Sequence, residues 1–313
     1  MAGCDGRQSA LDPAGVGAER IAGLFWWMTG GAAVVWIAVA ALTVHAVRAL
    51  PETFPERRAR LLIIGGGALV PTVVLAALLV YGLAMLPDLL ARAPVGSLKI
   101  AVTGEQWWWR VMYRPPSGGR VESANEIRLP VGEPVEFELE STDVIHSFWI
   151  PPLGGKVDMI PGRRTRLVLQ PTRTGTFRGV CAEYCGASHA LMAFDVVVME
   201  KAEFARWLDL QRRPAAPAGA EAAIGRRHFM ANGCSACHTV RGAAGADGVI
   251  GPDLTHVGGR LSVGAGTLAN DLAGVTAWLE RTDRVKPGVG MPHFGMLPPG
   301  ELRAMAAWLG SLK

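Results

Sequence analysis

Two long stretches of this chain carry no charge. None lies between Arg20 and Arg48, nor between Arg60 and Asp88, so residues 21–47 and 61–87 each give 27 uncharged positions. About 20 apolar residues suffice to cross a bilayer core as a helix, and the pattern predicts two membrane spans. Pro71 in the second is tolerable because neighbouring groups can satisfy the freed carbonyl, and Gly65, Gly66 and Gly67 suggest close helix packing. The connecting loop holds Arg48, Arg57, Arg58 and Arg60. Positive flanks stay on the cytoplasmic side, which puts the loop inside and both flanking regions outside. Beyond residue 90 the pattern changes to short alternating runs. These predict a strand-like stretch over 98–113 and strands at 126–130, 134–140, 144–150, 165–170, 175–181 and 193–199, separated by turn signals such as Pro115-Pro116 and Pro161-Gly162. Many short strands at this spacing argue for a sandwich or barrel. A short amphipathic helix is expected over 201–211. Residues 212–220 are Pro- and Ala-rich with nothing to bury, and read as a linker. Helices at about 222–232, 270–282 and 299–311 then frame a small helical domain around a glycine-rich loop region at 241–266.

The expected organisation is a multidomain membrane protein: an N-terminal outer segment (1–20), a two-helix transmembrane hairpin (21–90), an all-β domain (91–211), a linker (212–220) and an all-α domain (221–313). Composition agrees, with 313 residues, 50% of them hydrophobic. The net charge of +4 is spread along the chain without a basic run, which speaks against nucleic-acid binding. Of the five cysteines, four form two short-spaced pairs and Cys4 is left over. Ala2-Gly3-Cys4 resembles the end of a lipoprotein signal, although no hydrophobic stretch precedes it. Acylation of Cys4 and an accidental resemblance both stay open.

The first pair lies in Cys181-Ala-Glu-Tyr-Cys185-Gly-Ala-Ser-His189-Ala-Leu-Met192, with His146 as a distant partner. Two thiolates, two imidazoles and a thioether are soft or borderline donors that suit copper. Both sulfurs could bridge two coppers, with His146 on one, His189 on the other, and Met192 and the Glu183 carbonyl completing the sites. A disulfide, a zinc site and a mononuclear copper site are the competing readings. The second pair is Cys234-Ser-Ala-Cys237-His238, the attachment signature of a c-type haem, with His238 as proximal ligand. Gly251-Pro252-Asp253-Leu254 and Gly290-Met291-Pro292 resemble segments of class I cytochromes c. That resemblance implies Met291 as the sixth ligand, ahead of Met296, and Pro252 as the residue whose carbonyl holds the His238 ring. His256 and His293 are expected to be surface or loop histidines.

The runs Gly104-Glu105-Gln106-Trp107-Trp108-Trp109, Ser141 to Trp149, Lys156 to Arg163 and the cysteine loop resemble subunit II of haem-copper cytochrome c oxidases, over about residues 10–210. With the haem motif, the whole chain resembles such a subunit carrying a fused cytochrome c. The resemblance implies a cupredoxin-like sandwich, binuclear copper A, covalent haem c, and a magnesium at the subunit I interface reached by the Glu183 side chain. It implies Trp107 as the residue through which electrons enter, with Trp108 and Trp109 as core packing, and Asp143 and Asp158 near the copper or its docking face. It also implies oxidase subunit I, subunit III and cytochrome c or another upstream donor as partners, in a bacterial-type inner membrane. Function would be relay of electrons to a dioxygen-reducing, proton-pumping partner. A copper A-containing nitric oxide reductase and a free-standing membrane carrier remain alternatives. A tether would hold the cytochrome at roughly millimolar local concentration. Many relatives carry a glutamate at the start of the second span, and Leu61-Leu62-Ile63-Ile64 has none.

Overall fold

The computed structural model describes residues 6–48, 55–215 and 219–313, so Cys4 lies outside the described residues. Two helices are long and apolar enough to cross a membrane, α1 (Val16–Arg48) and α2 (Glu56–Leu89). Residues Leu61–Leu69 of α2 are wound as a π-helix around the three glycines. A Cβ on Gly65 or Gly66 would meet no atom of another element within 4 Å, and one on Gly67 would meet only the Leu62 carbonyl of the same helix, at 3.9 Å. The close packing expected of them is not made within the described residues.

Residues 93–313, with the segment before Arg20, form a second compact unit. Its first part is a sandwich of two five-stranded sheets. One has the order β3 (Val121–Ala124), β2 (Trp108–Arg114), β1 (Leu98–Glu105), β5 (Val135–Ser141), β8 (Thr165–Leu169). The other runs β4 (Glu126–Pro130), β10 (Ala193–Met199), β9 (Gly175–Cys181), β6 (His146–Trp149), β7 (Val157–Met159). Alternation drives each strand's placement. Leu98, Ile100 and Val102 of β1 and Trp109, Val111 and Tyr113 of β2 all point into the core. The expected strand over 98–113 is in fact a hairpin in which Glu105 pairs with Trp108, leaving Gln106 and Trp107 at its tip. Between the sheets Phe148 stacks on Phe194 with centroids 4.9 Å apart, and Trp109 meets both edge-on. Gly179 makes room for this stack, since a Cβ there would lie 2.0 Å from Phe194 Cζ. The segment before α1 is part of the unit: Ala14 is buried, Gly15 bridges to Pro171, and Arg7 pairs with the buried Asp195.

Helix α3 (Lys201–Gln211) buries Phe204 and Leu208 against the sandwich. The described residues that follow, 212–215, contact the next domain. Arg241 donates to the Gln211 carbonyl at 2.7 Å, and Ala215 is buried in the following domain. That domain has α4 (Gly219–Ala231), a small hairpin of β11 (Ser262–Val263) and β12 (Leu268–Ala269), α5 (Leu272–Val285) and α6 (Pro299–Ser311). Helices α4 and α6 cross at Gly225, where a Cβ would lie 2.1 Å from the Ala304 carbonyl oxygen, and Phe229 packs edge-on against Trp308. His256 belongs to this interior. It lies in a turn, as one of the two expected settings had it, but is buried rather than at the surface and bonds through Nε2 to the Arg213 carbonyl at 2.9 Å.

The two domains meet along a continuous seam. Arg110 donates to the carbonyls of Val249 and Ile250, and Arg128 to that of Gly259. Glu126 accepts from Leu261 N–H at 2.7 Å, and Asp195 from the Ser262 hydroxyl at 2.6 Å. Ala193 N–H reaches the Ala265 carbonyl at 3.1 Å, and the Ser188 hydroxyl donates to the Pro287 carbonyl at 2.7 Å.

Candidate metal and haem centres

The end of β9, the loop after it and the start of β6 converge at one edge of the sandwich. Register places Phe148 opposite Cys181, so His146, two residues before Phe148 on β6, lies close to the Cys181 side chain. Its Nδ1 is 3.7 Å from Cys181 Sγ. A hydrogen bond of 2.8 Å between His146 Nε2 and Asp143 Oδ1 fixes the ring, making Nε2 the protonated nitrogen and turning the Nδ1 lone pair toward the sulfur. The loop returns at His189, whose Nδ1 is 3.5 Å from Cys185 Sγ, while Met192 Sδ is 3.8 Å from the same sulfur. The Glu183 carbonyl lies 3.2 Å from Cys181 Sγ, and the Glu183 side chain is exposed. All six expected copper ligands are thus brought together, with the donor atoms of His146, Cys181 and Cys185 within 4.8 Å of one another.

The donor set fits a cation. The two sulfurs are 3.8 Å apart, far beyond the ~2.05 Å of a disulfide. A hydrogen bond from Cys185 holds the Cys181 thiol well below its ordinary range, and the same pairing pushes the Cys185 thiol up. The pair gives up one proton readily and keeps the second, so full ionisation of both calls for added positive charge. Burial opposes the charged form of His146, but Cys181 and Asp143 raise its basicity overall. Burial likewise opposes ionisation of Asp143, yet bonds from His146 and the N–H groups of Gln106 and Val144 keep its carboxyl low.

Two residues from the β1–β2 tip buttress the cysteine loop. Gln106 Nε2 and Trp107 Nε1 both donate to the Cys185 carbonyl, at 2.7 and 2.9 Å. Trp107 is only 7% exposed. Gly186 (φ +111°) fits beside it, since a Cβ there would lie 3.1 Å from both Gln106 Nε2 and Trp107 Cζ2. Trp109 is core, while Trp108 is half-buried beneath the Arg110 guanidinium. Gln106, Gly186 and Ser188 carry no motif of their own and escape a reading of the sequence. Asp158 is half-buried and paired with Lys156, which stabilises its carboxylate and lowers its pKa.

In the helical domain, Cys234–Ala236 form one tight turn, and His238 N–H returns to the Cys234 carbonyl at 3.1 Å. Cys234 and Cys237 are free thiols, and burial pushes that of Cys234 up to about 11. His238 Nδ1 bonds to the Pro252 carbonyl at 2.8 Å. Because a carbonyl only accepts, Nδ1 carries the proton and Nε2 keeps its lone pair for a metal. Burial also lowers the basicity of this ring. Gly251 lies against it, where a Cβ would fall 2.5 Å from Cε1. Met291 packs on the domain's core, whereas Met296 is 70% exposed and His293 is exposed. These donors fit a covalently held haem.

Fold and donor sets together define a class: a cupredoxin-like copper domain joined to a cytochrome c domain and preceded by two apolar helices. Residues 113–200 match the family described as cytochrome c oxidase subunit II, periplasmic domain, and residues 222–313 match cytochrome c. Cytochrome c oxidase subunit 2 of Alkalihalophilus pseudofirmus is 38% identical over 215 residues, covering 68% of this chain and 61% of that protein. Its counterpart in Bacillus subtilis is 33% identical, covering 72% and 65%. The crystal structure of the periplasmic domain of subunit II of cytochrome oxidase from Bradyrhizobium japonicum is 34% identical, covers 39% of this chain and 97% of that one, and gives a TM-score of 0.36. By the family matches, residues 113–200 belong to the cytochrome c oxidase subunit II periplasmic-domain family and residues 222–313 to the cytochrome c family. The chain spans less than two thirds of the length of these two full-length relatives. Membership implies copper A and haem c as cofactors, and the His146, Cys181 and Cys185 group fits a copper site.

Proposed function

We propose that this chain is the electron-input subunit of a membrane-bound terminal oxidase. One observation carries the reading: two thiols, two imidazoles, a thioether and a carbonyl converge at one edge of the sandwich. His146, Cys181, Glu183 (through its carbonyl), Cys185, His189 and Met192 would hold the copper pair. Cys234, Cys237, His238 and Met291 would hold the haem, with Pro252 fixing the His238 ring. Bound there, the two groups supply one-electron relay from cytochrome c or another donor toward the dioxygen-reducing, proton-pumping subunit I.

The chain's own residues do the rest. Asp143 orients His146, the Pro252 carbonyl orients His238, and the sandwich keeps the thiols out of water. Trp107, bonded to the Cys185 carbonyl, is the residue proposed to receive electrons for the copper site. The exposed Glu183 side chain is free for a magnesium shared with subunit I. α1 and α2 would anchor the subunit in an inner membrane with both soluble domains outside, alongside subunits I and III. The test is electron paramagnetic resonance of the purified, copper-loaded chain. A seven-line copper hyperfine pattern with a c-type haem spectrum is expected. A four-line pattern, or copper-free protein with Cys181 and Cys185 joined, would overturn the relay.

A further inference from the structure

Trp107 is approached by a glycine from each domain. Gly186 of the cysteine loop lies against one edge of the indole, where a Cβ would be 3.1 Å from Cζ2 and 3.5 Å from Nε1. Gly288 of the haem domain lies against the far edge, where a Cβ would be 2.8 Å from Cη2 and 2.9 Å from Cζ3. Separations under about 3.0 Å do not occur between packed carbons, which prefer ~3.5–4.0 Å. Only a residue without a side chain lets the Pro287–Val289 loop sit this close, and φ of +84° at Gly288 selects glycine as well. The loop is held from both sides. The Ser188 hydroxyl grips the Pro287 carbonyl at 2.7 Å, and Val289 packs on the copper-domain core. Inside the haem domain the buried Lys286 Nζ donates to the Gly264 carbonyl at 3.0 Å, tying this loop to the docking hairpin. Met291 follows three residues after Gly288.

We propose that Gly288 is a positioning residue that seats the segment leading to Met291 directly on Trp107, making this contact the coupling point between the two domains. The inference rests on the relay reading for its purpose, but the contact stands on geometry alone. The transfer it serves moves one electron from the reduced haem to the oxidised copper pair, with no bond broken and no proton moved.

The test is a double-mutant cycle on the loaded, full-length chain, combining Gly288→Ala with Trp107→Leu. Two readouts are taken: haem-to-copper equilibration after flash reduction of the haem, and hydrogen exchange of the peptides covering 104–109 and 286–290. With Trp107 present, Gly288→Ala should slow equilibration severalfold, because a Cβ 2.8 Å from Cη2 forces the loop off the indole, and should raise exchange in both peptides. In the Trp107→Leu background the same change should cost no more than about twofold, because the colliding ring is gone while the backbone strain remains. Equal losses in both backgrounds, or no loss in either, would overturn the proposal. The haem spectrum reports whether Met291 still binds iron. If it does not, Ser188→Ala serves instead: it removes the grip on Pro287 without straining Gly288, and must raise exchange in both peptides or the proposal falls. Absence of any haem-to-copper transfer in the unaltered chain would instead sink the relay reading, leaving hydrogen exchange to decide the contact.

Discussion

At the scale of single residues, the proposed copper ligands depend on a carboxylate that is not one of them. Asp143 fixes the His146 tautomer through one 2.8 Å bond. Asp143→Ala should lower copper affinity by about 10–100-fold, the usual cost of losing a ligand's outer partner, as read by competition titration with a chromophoric chelator. Lys286 makes a different prediction. It is buried, and burial pulls its ammonium down to about 7, an effect partly offset by its electrostatic interaction with Cys185. The unfolded chain then binds more protons than the folded one between pH 7 and the ordinary lysine range, so stability contributed at this site rises with pH across that window. Below pH 7 both states are charged and the cost of burial is fully present. The melting temperature of the unaltered chain should therefore gain on that of Lys286→Met as pH rises from 7 to 9. A constant difference would remove Lys286 as the cause.

At the scale of elements, legibility followed burial. Strands β5, β9 and β10 alternate with one face in the core, so residues 135–141, 175–181 and 193–199 declare themselves. The β1–β2 turn stayed hidden because Gln106-Trp107 has none of the usual turn residues and runs straight on into Trp108-Trp109. Strands β3 and β7 are too short for periodicity to build. The candidate ligands were readable because their chemistry is rare and their spacing local. The seam was not, because backbone carbonyls accept most of its bonds, and a carbonyl leaves no mark on residue type. The α4–α6 crossing is likewise set by one residue: Gly225→Leu should lower the haem-domain melting temperature, since overpacking a closed contact costs about 1–3 kcal/mol. Thermal unfolding followed at the haem absorption band measures it.

At the scale of the copper and haem domains together, Asp195 is the shared clamp. Buried in β10, it holds Arg7 of the N-terminal segment and Ser262 of the haem-domain hairpin. Asp195→Ala should loosen both at once, with faster hydrogen exchange at 6–14 and 262–269 and little change at the far α4–α6 crossing. Exchange unchanged at either segment would show that the remaining seam bonds suffice. The covered Trp107 has a last consequence, for molecularity. Where two proteins must meet before an electron passes, the rate follows their concentrations and the salt that screens their charges. Across a closed contact there is no encounter, so that step is first order and indifferent to dilution and ionic strength. In the proposed relay both dependences would be displaced outward, to whatever surface of the haem domain meets the donor.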